Sequence, residues 1–342
     1  MKTDTVKKEL AEVHLLRASA SIIVVIFHLF LGNPNLFPNP SIFKEISKYG
    51  YLGVEIFFML SGYIICYALP KNYTYSNLGP FLIRRTIRIY PAYLISMAMV
   101  LILNTASHYI THLDNHINVL DIFSNVFFLA NFGLGDYLNI VYWTLGIEFQ
   151  FYLLIGLTFN LICNKTNLII YILCLLLVSS LQFDENMDTI IKYLSIFGLG
   201  MIVFFFKKTK LINFMSFAFL ALLLLIQIYF FLGIPVLIMS FLSLLGLLFW
   251  DKTNGVILFL SNISFSLYLI HVSIGGKIIN LGLRLVNTLT ERYLLFFTAL
   301  VVTIFCSYLF YLLVERPAML WSKKIKYKAN NQTTVQPNLS IK

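Results

Sequence analysis

The sequence predicts an all-α integral membrane protein of about ten transmembrane helices with both termini in the cytoplasm, and three observations predict it. Hydrophobic residues make up 59% of the 342 residues and charged residues 12%, with a mean hydropathy of +0.83. A water-soluble domain keeps about 25% of its residues charged, so hydrocarbon must solvate most of this surface. Apolar residues gather in ten runs of the length a helix needs to cross a bilayer core. The Lys and Arg residues fall in the short segments between those runs, and mostly in alternate ones.

The first run, near 13–31, follows Lys2, Lys7 and Lys8 and contains Arg17 and His28. A cleaved signal segment rarely tolerates two such residues in its apolar stretch, so a retained helix is expected. The second run, 49–69, leads into a basic segment with Lys71, Arg84, Arg85 and Arg88, and the third follows at 89–107. Between 108 and 139 the one apolar piece, Asn125 to Leu134, is too short to span and is expected to be re-entrant or interfacial. Runs four to ten lie near 140–162, 167–183, 190–206, 211–231, 233–250, 256–275 and 292–314. Placing the N-terminus inside puts 19 of the 25 Lys and Arg on the cytoplasmic face. Lys44, Lys48, Lys192, Lys277, Arg284 and Arg292 remain outside, the asymmetry of the positive-inside rule. The expected division is a transmembrane domain over 1–318 and a polar, basic, unstructured tail over 319–342.

The net charge of +10 is distributed in short loops, which points to the lipid bilayer as partner and away from nucleic acid. Cys66, Cys163, Cys174 and Cys306 lie in or beside apolar runs without paired spacing, so neither a disulfide framework nor a metal site is expected.

Ionisable residues inside the spans cost at least about 2.5–3.5 kcal/mol each on insertion scales, and each needs a reason. Arg17 and His28 are eleven residues apart, about three helical turns, so they share one face and are separated by roughly 16 Å. Glu55 and Glu148 sit a few residues below the outer ends of the second and fourth runs. That depth places His28, Glu55 and Glu148 in one layer, where a carboxylate can orient a histidine base. A structural polar network is the alternative, and Gly53 and Gly62 equally suit close helix packing. At the inner end, Arg84 and Arg88 lie four apart and present two guanidiniums on one helix face. With Arg85 they suit phosphates, or simply anchor the positive-inside loop. Phosphate-gripping arginines at one mouth and a His–carboxylate layer farther out suit a long donor with an anionic head, as coenzyme A is.

These residues resemble the acyltransferase-3 family of bacterial membrane O-acyltransferases. The resemblance rests on Arg17-x10-His28, the Gly53-to-Gly62 segment, Arg84-Arg85-x-x-Arg88-Ile-x-Pro-x-Tyr93, and Trp143-Thr-Leu-x-x-Glu148-x-x-Phe-Tyr152. It continues through Ile263-Ser-Phe-Ser-Leu-Tyr-Leu-x-His271 to Glu315-Arg316-Pro317. It implies acyl-CoA, most simply acetyl-CoA, as cytoplasmic donor and no metal. The implied acceptor is a carbohydrate: a surface polysaccharide, an oligosaccharide or a lipid-linked glycan. It further implies residence in the bacterial inner membrane, with glycan-synthesis proteins as possible partners. His28 is then the catalytic candidate, as base or as transient acyl carrier, with Glu55 or Glu148 orienting it. Arg17, Arg84, Arg85 and Arg88 would hold the coenzyme, and Trp143, Tyr152 and His271 are candidate contacts to the acceptor. Some relatives carry a fused extracytoplasmic esterase-like domain, so either the membrane domain suffices here or a separate protein completes the transfer. A glycan-precursor flippase using intramembrane His and Glu as a proton relay is the rival reading, and a non-catalytic assembly partner is another.

Overall fold

Hydrocarbon leaves no water to satisfy backbone N–H and C=O groups, so the chain must bond them within helices. Every predicted apolar run coincides with a helix, and no strand occurs among the described residues. The structure is a computed structural model describing residues 10–70, 72–111, 118–181 and 187–327. Lys2, Lys7, Lys8 and Lys71, part of the 108–139 stretch and residues 328–342 of the expected tail lie outside the described residues. The principal helices are α1 Ala11–Leu31, α2 Gly53–Ala68, α3 Leu78–Thr111, α4 Val119–Val126, α5 Trp143–Thr158, α6 Lys165–Ser179 and α7 Leu194–Lys207. They continue as α8 Phe214–Leu232, α9 Ile234–Phe249, α10 Gly255–His271, α11 Lys277–Gly282, α12 Leu289–Phe310 and α13 Arg316–Lys324. Among the described residues eight helical segments are long and apolar enough to cross a bilayer; α6 and α9 are shorter apolar helices of 15 and 16 residues.

Side chains close the helix starts that the backbone leaves open. Asn164, Asn213 and Asn254 accept from the N–H groups of Asn167, Ser216 and Ile257 at 2.9, 3.0 and 2.8 Å, starting α6, α8 and α10. Gly233, at φ +86°, turns the chain between α8 and α9, and Pro235 opens α9 where a missing N–H costs nothing.

The bundle is organised around α7, buried at every residue from Leu194 to Phe205. Its closest neighbour is α2, and glycines allow the approach. A Cβ on Gly200 would lie 1.9 Å from the Met59 carbonyl oxygen, and one on Gly62 would lie 2.1 Å from that of Phe197. Both clashes are with backbone, which cannot swing aside, so the two helices would have to part. Gly200→Val is therefore expected to destabilise the fold by about 3 kcal/mol or more, the upper range for overpacking. Its melting temperature in detergent, compared with that of wild type, checks this.

At one end of the bundle, Glu12 ties α1 to α2 and α7. The Tyr63 hydroxyl donates to it at 3.1 Å, Lys207 Nζ lies 3.1 Å away, and Lys208 Nζ lies 3.8 Å away.

Two helices depart from the expected boundaries. α3 starts at Leu78 rather than near 89 and runs unbroken through Pro91. Arg84, Arg85 and Arg88 depress the hydropathy of this segment, yet Phe81, Arg85, Ile89 and Ala92 form one buried stripe at helical spacing. The expected division at residue 318 also falls inside a helix: α13 packs along α3, with Ala318 and Ser322 buried, so ordered structure continues past Pro317.

The apolar piece near 125–134 does not form a spanning helix. α4 has eight residues, and Tyr90 and Tyr93 of α3 donate to the carbonyls of Val126 and Asn125 beyond its centre, the latter at 2.8 Å. In the following loop Asn131 Nδ2 donates to the Trp143 carbonyl at 2.7 Å, fixing the start of α5. The Tyr137 hydroxyl donates to Asp188 at 2.7 Å, and burial together with that carboxylate raises its pKa above the ordinary phenol value.

Candidate functional site: two cavities with a shared wall

Two cavities, each with an open mouth, hold several of the ionisable residues that the spans carry. The first, about 870 Å³ with its open mouth, is lined by Arg17 from α1, Arg85 and Arg88 from α3, Glu148 and Tyr152 from α5, and Glu315. Its charged groups are held by short polar side chains. Arg17 Nε donates to Ser264 Oγ at 3.1 Å. Glu148 Oε1 accepts from Ser61 Oγ at 3.1 Å and from the Tyr152 hydroxyl. Glu315 Oε2 accepts from the Ser266 backbone N–H at 3.1 Å and from Ser266 Oγ at 2.5 Å. Arg85 lies against the rings of Phe81 and Tyr152, at 5.6 and 5.7 Å from their centroids.

The ion pairs within 4.0 Å among the described residues are Lys48–Glu45, Lys207–Glu12 and Lys208–Glu12. None engages Arg17, Arg85 or Arg88. Arg17, Arg85 and Arg88 thus face one cavity without an ion-pair contact, and they share it with the carboxylates of Glu148 and Glu315.

The second cavity, about 1000 Å³ with its open mouth, holds His28, Glu55, Trp143 and Lys192 among aromatic and aliphatic side chains, including Tyr51 and Tyr193. Glu55 is buried, and its Oε2 has no hydrogen-bond partner. An unsatisfied buried carboxylate oxygen in a cavity lining calls for a ligand, water or proton in the space it faces.

Val54 and Tyr268 line both cavities and are the only residues common to the two linings. The Tyr268 hydroxyl lies 2.7 Å from Thr144 Oγ, on the first-cavity side, and donates to the Val141 carbonyl on the second-cavity side at 3.2 Å. Val54 and the Tyr268 ring, fixed at its polar tip, thus stand between the cavity of the arginines and that of the histidine.

The structure sorts the sequence candidates accordingly. His28, Glu55 and Trp143 come together in one cavity; Arg17, Arg85, Arg88, Glu148 and Tyr152 come together in the other. Glu148 was expected in the His28 layer, but its place on α5 turns it toward Ser61 and the arginines. Arg84 lines neither cavity; its guanidinium stacks on the Tyr327 ring at 4.7 Å. His271 is fully buried behind His28, with its Nε2 3.1 Å from His28 Nδ1.

Sequence reasoning assigned no role to Glu315, Ser264, Tyr268 or Lys192, all of which line a cavity. For Glu315 a signal existed: an ionisable residue at the edge of an apolar run. Two π turns adjoin this machinery. Val272–Gly276 carries α10 into α11 directly after His271, and Tyr311–Glu315 carries α12 into α13 and ends on Glu315. Such one-residue expansions of a helical turn re-aim the side chains beside them. Among the described residues no group of three or more His, Cys, Asp or Glu side chains is assembled as a metal site.

Comparison with known proteins places these residues in context. The chain is 33% identical over 161 residues to a peptidoglycan O-acetyltransferase of Listeria monocytogenes, covering 43% of this chain and 24% of that protein. It is 30% identical over 146 residues to a putative acetyltransferase of Acidianus two-tailed virus, covering 43% and 40%. It is 31% identical over 153 residues to a putative O-acetyltransferase of Staphylococcus aureus, covering 40% and 22%. The matches therefore span less than half the length of each relative. No solved structure matches. A family model described as an acyltransferase domain matches residues 10–312, and the chain belongs to the acyltransferase-3 family.

Proposed function

We propose that the protein is a bacterial inner-membrane O-acyltransferase that moves an acyl group, most simply acetyl, from cytoplasmic acyl-CoA to a carbohydrate hydroxyl. The observation that carries this reading is the pair of cavities with a common wall: an anion-receptive arginine cluster on one side and a histidine on the other. The nucleotide phosphates of the coenzyme meet Arg17, Arg85 and Arg88 at the cytoplasmic end. The thin pantetheine arm reaches past Val54 and Tyr268 and presents the thioester to His28. A glycan hydroxyl enters the second cavity, where Tyr51, Trp143 and Tyr193 offer ring faces suited to sugars.

In the transfer, His28 takes the hydroxyl proton as the alcohol oxygen attacks the thioester carbonyl. The C–O bond forms, the C–S bond breaks, and the coenzyme thiolate leaves and recovers a proton from His28. The products are the O-acyl carbohydrate and free coenzyme A. The names of the relatives support acetyl, and that of the Listeria protein supports a cell-envelope glycan.

Purified protein in liposomes with labelled acetyl-CoA tests the proposal. Release of free coenzyme A, raised by a glycan acceptor, is expected. If acyl-CoA is neither bound nor consumed with glycan acceptors present, the acyltransferase reading fails and glycan-precursor transport takes its place.

A further inference from the structure

The ring nitrogens of His271 have unequal surroundings. Nδ1 lies 3.0 Å from the Leu267 carbonyl oxygen and 2.8 Å from that of Tyr268, and carbonyl oxygens only accept. Nδ1 must therefore carry a proton, or a lone pair would face two oxygens. His271 is also fully buried. An imidazolium there would be a charge without a carboxylate at either nitrogen, so the ring is neutral and Nε2 holds a lone pair. That lone pair faces His28 Nδ1 at 3.1 Å, with the two ring centroids 5.0 Å apart.

The same logic then passes to His28. Its Nδ1 also lies 3.1 Å from the Val24 carbonyl oxygen, which already accepts a backbone bond within α1. Facing two acceptors, Nδ1 carries the proton and donates. The lone pair of His28 is left on Nε2, the nitrogen across the ring, for the cavity that His28 lines. Neither Glu55 nor Glu148 is hydrogen-bonded to this ring among the described residues.

We propose that His271 is the positioning residue for His28, a neutral imidazole that takes the place a carboxylate usually holds behind a histidine base. It holds the ring in the orientation that offers Nε2 to the acceptor hydroxyl, and its lone pair supports the imidazolium that His28 becomes when it takes the proton. The backbone of α10 in turn fixes His271, and the π turn Val272–Gly276 begins at the next residue. The catalytic part of this inference rests on the acyltransferase reading; the arrangement of protons does not.

The test compares His271→Gln with His271→Leu in the full-length protein. Glutamine can donate through its amide nitrogen to the α10 carbonyls and accept through its oxygen from His28; leucine fills similar space and does neither. His271→Leu is expected to lower kcat by about 10–100-fold, the usual cost of losing such a supporting partner, at unchanged donor KM. His271→Gln is expected to recover most of that loss, with melting temperatures matching between the two variants. Equal activity of the two, whether high or low, overturns the proposal: equally high means packing alone matters, and equally low means His271 must itself accept a proton.

A second readout needs no substrate. In a ¹⁵N–¹H spectrum of histidine-labelled protein, with His28 assigned by a His28→Gln variant, His28 is expected to be protonated at Nδ1. Protonation at Nε2 overturns the proposal even if the enzyme is active. If wild type consumes no acyl-CoA, the functional reading falls while this spectrum still decides the histidine pair.

Discussion

His28→Ala is expected to lower kcat for acyl transfer by about 10²–10⁴-fold, the contribution of a positioned general base, while leaving donor affinity unchanged. The separation of the two effects follows from the wall. The guanidiniums that would bind the donor line one cavity, and His28 lines the other. Removing the imidazole takes away the proton acceptor without touching Arg17, Arg85 or Arg88. Initial rates of coenzyme A release, with donor binding measured in parallel, check both halves. A kcat within a few-fold of wild type would move the base elsewhere, and Glu55, buried in the same cavity with an unpartnered oxygen, would be the next candidate. Loss of donor binding instead would mean that the two cavities act as one.

The second large effect is on the donor. Arg17→Ala and Arg88→Ala are each expected to raise the KM for acyl-CoA by roughly 10–100-fold, from hydrogen bonds to charged phosphate of about 1.5–3 kcal/mol. Folding should survive, because no carboxylate is in ion-pair contact with either guanidinium. Arg84→Ala should have a much smaller effect on KM, since that side chain packs on Tyr327 rather than facing the cavity. The contrast between neighbouring arginines, measured as donor KM at two salt concentrations, separates a phosphate site from general attraction of anions to a basic loop. Equal losses from Arg84 and Arg88 would favour the latter.

That contrast also marks how far the sequence could be read. Helical spacing makes Arg84 and Arg88, four apart, neighbours, but Arg85 and Arg88, three apart, are neighbours too. Which pair faces inward depends on the rotation of α3, set by the buried stripe of Phe81, Ile89 and Ala92 against other helices. No local pattern contains that information. The apolar runs were legible because lipid imposes a length and a polarity on each span independently of its neighbours. The shared face of Arg17 and His28 was legible because it lies within one helix. Their axial separation of roughly 16 Å carries them into different cavities, which spacing alone did not reveal. Depth put Glu148 level with His28, but depth does not choose a neighbour, and packing gave it Ser61 and Tyr152. His271 lies 243 residues from His28 in the chain, so its contact could emerge only from the assembled bundle.

The wall formed by Val54 and Tyr268 has an electrical consequence. If water fills both cavities and they open to opposite solutions, each sits close to the potential of its own solution, and the insulating thickness shrinks from a whole bilayer to the wall between them. The membrane voltage then falls mainly across that wall, where 100 mV is worth about 2.3 kcal/mol for each elementary charge that crosses. A proton or thiolate moving past it would do work against, or with, nearly the full transmembrane field, whereas the same movement inside either cavity would scarcely feel that field.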